Sequence, residues 1–117
     1  LEYYEKALKL DEELGIKEGI AATRGNIGVV YQTRGELGKA LEYYEKVLKL
    51  NEELGIKKGM AIVLGNIGNI YQTKGELDKA LEYHDTALKL DEELGIKKGI
   101  ATVLGNIGNV YFKKRRT

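Results

Sequence analysis

The feature that most constrains this chain is a repeat at forty residues. Gly15, Gly19, Gly25, Gly28 and Gly35 recur as Gly55, Gly59, Gly65, Gly68 and Gly75, and the first four recur again as Gly95, Gly99, Gly105 and Gly108. The residues between the glycines repeat almost as closely. A unit copied at a fixed period of this length is a supersecondary element that buries its apolar face by stacking on its neighbours.

Each unit reads as two helices. In the middle copy Ala61, Leu64, Ile67 and Tyr71, with Val63 and Ile70 beside them, form a helical stripe and not a strand alternation. A second stripe runs through Leu77, Ala80, Leu81, His84, Ala87 and Leu88. Gly75 and Gly95 follow the two stripes as terminators, and Ile96 is placed to fold back on Leu90 in a Schellman-type cap. The spacing predicts six helices, over 1–14, 17–34, 37–54, 57–74, 77–94 and 97–114, antiparallel because every link is short. The expected class is all-α, an α-solenoid of antiparallel helix pairs. It forms one domain over 1–117, with a half repeat 1–16, repeats 17–56 and 57–96, and a half repeat 97–117.

The glycines inside the first helix of each unit need a reason, because each costs about 1 kcal/mol relative to Ala. Gly28, Gly68 and Gly108 sit on the apolar stripe, where a missing side chain lets the partner helix come close. Gly25, Gly65 and Gly105 lie off it, open either to a ligand backbone or to the next first helix. Asn26, Asn66 and Asn106 form a ladder on that face, and Asn69 and Asn109 a second, one turn on, where the first copy has Val29. A carboxamide offers two donors and an acceptor, so it can pair with the N–H and C=O of any peptide, or tie neighbouring helices together. Gln32, Gln72, Thr33 and Thr73 continue this wall.

These residues resemble the tetratricopeptide repeat family. Its pattern of bulky residue, Leu-Gly, Tyr, then Ala-aromatic-Ala is met by Leu64, Ile67, Gly68, Tyr71, Ala80, His84 and Ala87. It is met again by Arg24, Ile27, Gly28, Tyr31, Ala40, Tyr44 and Val47, and by Leu104, Ile107, Gly108 and Tyr111. Residues 1–14 keep only Tyr4 and Ala7 of it. Two departures stand out. The period is forty and not about 34, and Glu52 and Glu92 stand where Pro is usual. Both features are similar to the forty-residue repeats of Pins-type polarity adaptors, kinesin light chains and bacterial peptide-sensing regulators. The resemblance implies a right-handed superhelix whose first helices line a concave peptide-binding groove. Asn26, Asn66, Asn106, Asn69, Asn109, Gly65, Gln32 and Gln72 are then the expected peptide-binding residues. A clamp for a C-terminal carboxylate is not expected, since the matching places hold Ala22, Ile62 and Thr102, with Lys113 alone at one edge.

Other function classes find little support. Basic and acidic residues nearly cancel, 19 against 18, so no global field favours nucleic acid or an anionic membrane. Cysteine is absent, which excludes disulfides and thiol chemistry and fits a cytoplasmic setting. No apolar run approaches a membrane span of roughly 20 residues. His84, the single histidine, lies on the apolar stripe and is expected in the core, without metal or cofactor. No catalytic residues are expected. Arg24, in place of Leu64 and Leu104, must snorkel or find an acid. The tail Lys113-Lys114-Arg115-Arg116 complements a helix C-terminus. The chain does not open on Met, as expected of a fragment or a processed chain. Neither end carries a polar cap, which predicts head-to-tail association or a homo-oligomer, and offers a self-associating array or spacer as the alternative to a peptide-binding module.

Overall fold

The computed structural model describes residues 1–116. Six α-helices account for nearly all of them: α1 Glu2–Leu14, α2 Lys17–Thr33, α3 Leu37–Leu54, α4 Lys57–Thr73, α5 Leu77–Leu94 and α6 Lys97–Arg116. No strand occurs among the described residues. The chain separates into two compact units, Leu1–Gly55 and Ile56–Thr117.

The helices stop where glycine permits a turn that other residues resist. Gly15, Gly35, Gly55, Gly75 and Gly95 all take positive φ, between 68° and 82°. The bonding around Gly95 is a Schellman motif: its N–H donates to the Glu92 carbonyl at 3.2 Å, and the Ile96 N–H donates to the Asp91 carbonyl at 3.0 Å. Gly35 and Gly75 end α2 and α4 in the same way, with Glu36 and Glu76 donating to the Tyr31 and Tyr71 carbonyls at 2.9 Å. A single residue separates each of these glycines from the next helix, so successive helices double back.

In the first unit α2 packs between α1 and α3. Ile27, Ala40, Leu41, Tyr44 and Val47 are buried, and Gly28 is the reason the α2–α3 seam closes. A Cβ there would stand 2.6 Å from the Tyr44 ring. The Tyr44 hydroxyl donates to Gln32 Oε1 at 2.7 Å, which satisfies a polar group inside the seam. Tyr31 stacks on Tyr43 with centroids 5.7 Å apart. Arg24 is half-buried, and its charge acts on the Tyr43 hydroxyl.

The second unit repeats the plan. Ile67, Ile70, Ala80, Ala87 and Val110 are fully buried, and Tyr71 stacks on Tyr83 at 5.4 Å. His84 occupies the place of Tyr44, with no exposed surface, and a Cβ on Gly68 would lie 2.7 Å from its Cε1. The core position read from the sequence is observed. Neither ring nitrogen of His84 has a hydrogen-bond partner among the described residues. Exposed ion pairs tie the unit's edges, Lys57 to Glu93 at 2.6 Å and Lys114 to Asp78 at 2.5 Å. The four basic residues from Lys113 to Arg116 fall in the last turn of α6, where they oppose the helix dipole. Outer faces of α1 and α6 stay open: Tyr3, Leu10 and Leu14 on the one, Leu104, Tyr111 and Phe112 on the other.

Candidate functional site

The two first helices of the second unit, α4 and α6, approach each other and leave a cleft of about 430 Å³ between them. On α4 it is lined by Lys58, Ala61, Ile62, Gly65, Asn66 and Asn69. Those positions advance by three, one, three, one and three residues, which is one continuous face of an α-helix. The wall opposite comes from Lys98, Gly99, Thr102, Val103 and Asn106 of α6. Asp91, near the end of α5, and Ile96, in the link that follows, complete the floor.

Four of the residues expected from the sequence meet here: Gly65, Asn66, Asn69 and Asn106. Gly65 has no atom within 4 Å of where a Cβ would stand, so packing does not demand a glycine at this point. All three asparagines are half-buried, which leaves their carboxamides open to the cleft. Asn109 and Gln72 do not line it. Asn109 is exposed, and Gln72 is half-buried. Asn26 and Gln32 belong to the first unit. Gln32 already accepts the Tyr44 hydroxyl, so its oxygen is engaged in the α2–α3 seam.

Three charged residues in the lining escape a reading based on the asparagine ladders. Lys58 and Lys98 are exposed at matching places of α4 and α6, three residues before Ala61 and four before Thr102. Asp91 is buried, and a Cβ on Gly99 would come within 2.6 Å of its Oδ2. Desolvation pushes its carboxyl above the usual carboxylate range. A sequence signal for it existed. Asp11, Asn51 and Asp91 recur at the forty-residue period, each eight residues before one of the glycines Gly19, Gly59 and Gly99. The cleft therefore offers three carboxamides for hydrogen bonding, room at Gly65 for a ligand to come close, apolar contact from Ile62 and Val103, a sunken acid and two exposed amines. Among the described residues no group of three or more metal-ligating side chains gathers, here or elsewhere.

Comparison with known proteins agrees with this architecture. The tetratricopeptide repeat family model matches residues 1–53 and 59–117. No match is found among curated proteins. The fold is similar to that of BtubC (BKLC) from P. vanneervenii, with a TM-score of 0.83 and 26% identity over 94% of this chain and 46% of that one. It is also similar to the apo form of RapI, with a TM-score of 0.89 and 23% identity over 98% of this chain and 42% of the other. Aspartyl phosphate phosphatase F from Bacillus subtilis follows at a TM-score of 0.81 and 22% identity, over 87% of this chain and 27% of that protein. The chain thus spans less than half the length of each of these structures.

Proposed function

The chain belongs to the tetratricopeptide repeat family, and we propose that it is a protein–protein interaction module that holds a peptide segment of a partner in the α4–α6 cleft. The observation that carries this reading is the convergence of Asn66, Asn69 and Asn106 on one cleft, beside a glycine that packing does not require. Carboxamides pair with a peptide's own N–H and C=O and leave side-chain choice to the flanking surface. Ile62 and Val103 supply apolar contact. Asn109, Gln72, Asn26 and Gln32 are not part of the proposed contact. The proposed setting is the cytoplasm, and no catalytic role is proposed. No helix among the described residues is long and apolar enough to cross a membrane.

A peptide array read in wild type and in the Asn66→Ala, Asn106→Ala double variant tests the proposal. Both side chains are half-buried on helices and make no hydrogen bond that holds the fold. The variant is expected to keep its helical circular dichroism and its melting temperature while losing the hits. Retained binding refutes the assignment.

A second reading, self-association, is favoured by one contrast. Leu64 and Tyr71 of α4, which packs on α5, are buried, whereas their counterparts Leu104 and Tyr111 of α6 are exposed. A second helix from another copy, or from a following repeat of a longer chain, would cover them as α5 covers α4. Light scattering over a concentration series checks it, and a strictly monomeric 13.1 kDa species at high concentration excludes association of this chain with itself.

A further inference from the structure

The asparagines account for the walls of the cleft but not for its floor. Asp91 is 6% exposed, and the surface it retains opens into the cleft. Its carboxylate lies against the first turn of α6, alongside Gly99. Among the described residues no hydrogen bond or ion pair reaches it. Lys58 and Lys98 line the same cleft but are exposed, with their amines free to stay in water. A carboxylate taken out of water without a partner is costly and is normally paired.

Packing alone does not ask for the charge. The middle copy has Asn51 at this place, 6% exposed as well, so a neutral amide of the same shape serves an equally buried position. The first copy has Asp11, which packs against Gly19 in the same way but is more open to water. The second unit thus combines the burial of one copy with the charge of the other, and there the side chain also faces a cleft lined with carboxamides.

We propose that Asp91 is the anchor for a positively charged group of the bound peptide, a Lys or Arg side chain or a free N-terminal ammonium, while Asn66, Asn69 and Asn106 hold the adjoining backbone. This inference rests on the reading of the cleft as a peptide site. An incoming ammonium or guanidinium supplies the missing partner. Charge-assisted hydrogen bonds of this kind are roughly twice as strong as neutral ones. A neutral or acidic group at the same point leaves the carboxylate unpaired or repelled, so the floor discriminates as well as attracts.

The test is an array of short peptides with amidated C-termini, each spotted with a free and with an acetylated N-terminus. Every Lys and Arg is exchanged in turn for Met, and the hits are titrated against wild type, Asp91→Asn, and the Asn66→Ala, Asn106→Ala variant. Asp91→Asn places in α5 the residue that α3 already carries at this position, so it is expected to fold. The expected result is that each hit depends on one cation. Either the Lys/Arg→Met exchange or acetylation weakens wild-type binding by at least about tenfold, which also tells a side-chain cation from a terminal one. In Asp91→Asn the charged and uncharged versions bind alike. Hits that ignore the cation, or that bind Asp91→Asn as they bind wild type, overturn the assignment of Asp91. If the same hits are lost in the asparagine variant, the cleft reading survives that failure. Hits that require an acidic residue overturn it in favour of Lys58 and Lys98. A wild-type protein that binds no peptide at all overturns both readings.

Discussion

Replacing His84 by Tyr should stabilise the protein and remove most of its pH dependence just below neutrality. The perturbation is one the molecule already performs on itself. In the first unit Tyr44 lies on Gly28 and donates its hydroxyl to Gln32; in the second His84 lies on Gly68 in the same way, and Gln72 stands where Gln32 does. His84 is completely buried with both ring nitrogens unpaired. Leaving a buried polar group unsatisfied costs about 1–3 kcal/mol, and a restored hydroxyl–amide bond contributes about 1 kcal/mol. His84→Tyr is therefore expected to gain about 2–4 kcal/mol at pH 7.5.

The pH effect follows from burial, which lowers the His84 pKa below its ordinary value of 6.5, while Asp85 works weakly in the other direction. Above pH 6.5 folded and unfolded chains are both neutral at this residue, and it adds no pH dependence. Below that value the unfolded chain takes up a proton that the folded chain refuses. Stability then falls with a slope approaching about 1.4 kcal/mol per pH unit, until the folded-state pKa is reached. His84 is the chain's one histidine, so no other imidazole obscures the window. Asp91, whose carboxyl pKa is raised by burial, contributes with the opposite sign. Urea denaturation followed by circular dichroism at pH 7.5 and at pH 5.5 is the assay. An His84→Tyr variant no more stable than wild type at pH 7.5, or one that keeps the wild-type loss between the two pH values, refutes the account.

Three further outcomes are expected. Asp91→Asn should raise the melting temperature at pH 7, because the folded-state carboxyl pKa lies above the unfolded one and the charged form is the one penalised; the gain should shrink as pH falls through the folded pKa, and an unchanged or lower melting temperature contradicts the burial argument. Gly65→Ala meets open space and should stabilise by up to about 1 kcal/mol while weakening peptide binding, whereas Gly68→Ala drives a Cβ to 2.7 Å from the His84 ring and should cost about 1–3 kcal/mol; equal melts of the two variants would deny the difference. The Asn66→Ala, Asn106→Ala variant should melt within about 0.5 kcal/mol of wild type, since neither side chain is a structural bond.

Much of this fold is written locally. Glycine at each helix end marks the stop because only it takes the required φ cheaply, so predicted and observed boundaries agree within two residues. Gly28, Gly68, Ile27 and Ile67 face inward as the helical period demands, whereas Gly108, expected on the same stripe, is exposed with no atom within 4 Å of where a Cβ would stand, because no second helix packs on that part of α6 among the described residues. What the period does not contain is the identity of the neighbour. Leu64 and Leu104 have nearly the same sequence around them, yet one is 6% exposed and the other 53%, because α4 is followed by a second helix in the described residues and α6 is not. The same gap explains the site. Helical spacing put Asn66, Asn69 and Gly65 on one face and left open what that face meets. It could not show that Gln32 is engaged by Tyr44, that Asn109 is exposed outside the cleft lining, or that Asp91 of α5 lines the cleft between α4 and α6.

Near-identical repeats make the few buried differences informative, and three of them fall on α5. His84, Ala87 and Asp91 are three and four residues apart and share its inner face, where α3 presents Tyr44, Val47 and Asn51. Each exchange weakens the helix's hold. An unpaired imidazole replaces a hydrogen-bonded phenol, a carboxylate replaces an amide, and Ala87 for Val47 gives up two methyl groups of apolar burial, worth about 0.8 kcal/mol each. With about 1–3 kcal/mol for the imidazole, α5 should open more readily than α3 by about 3 kcal/mol, or about a hundredfold in the opening equilibrium. Native-state hydrogen exchange read by mass spectrometry reports this directly, since local openings show as faster exchange of the amides they expose. The central amides of α5 are expected to exchange faster than those of α3, and to slow in His84→Tyr. Equal or slower exchange in α5 would mean that the polar groups on its inner face have partners that offset their burial. A helix held loosely beneath the cleft is also one that a ligand can tighten: any cation that pairs with Asp91 binds the closed helix only, and so should protect α5 in proportion to its own affinity.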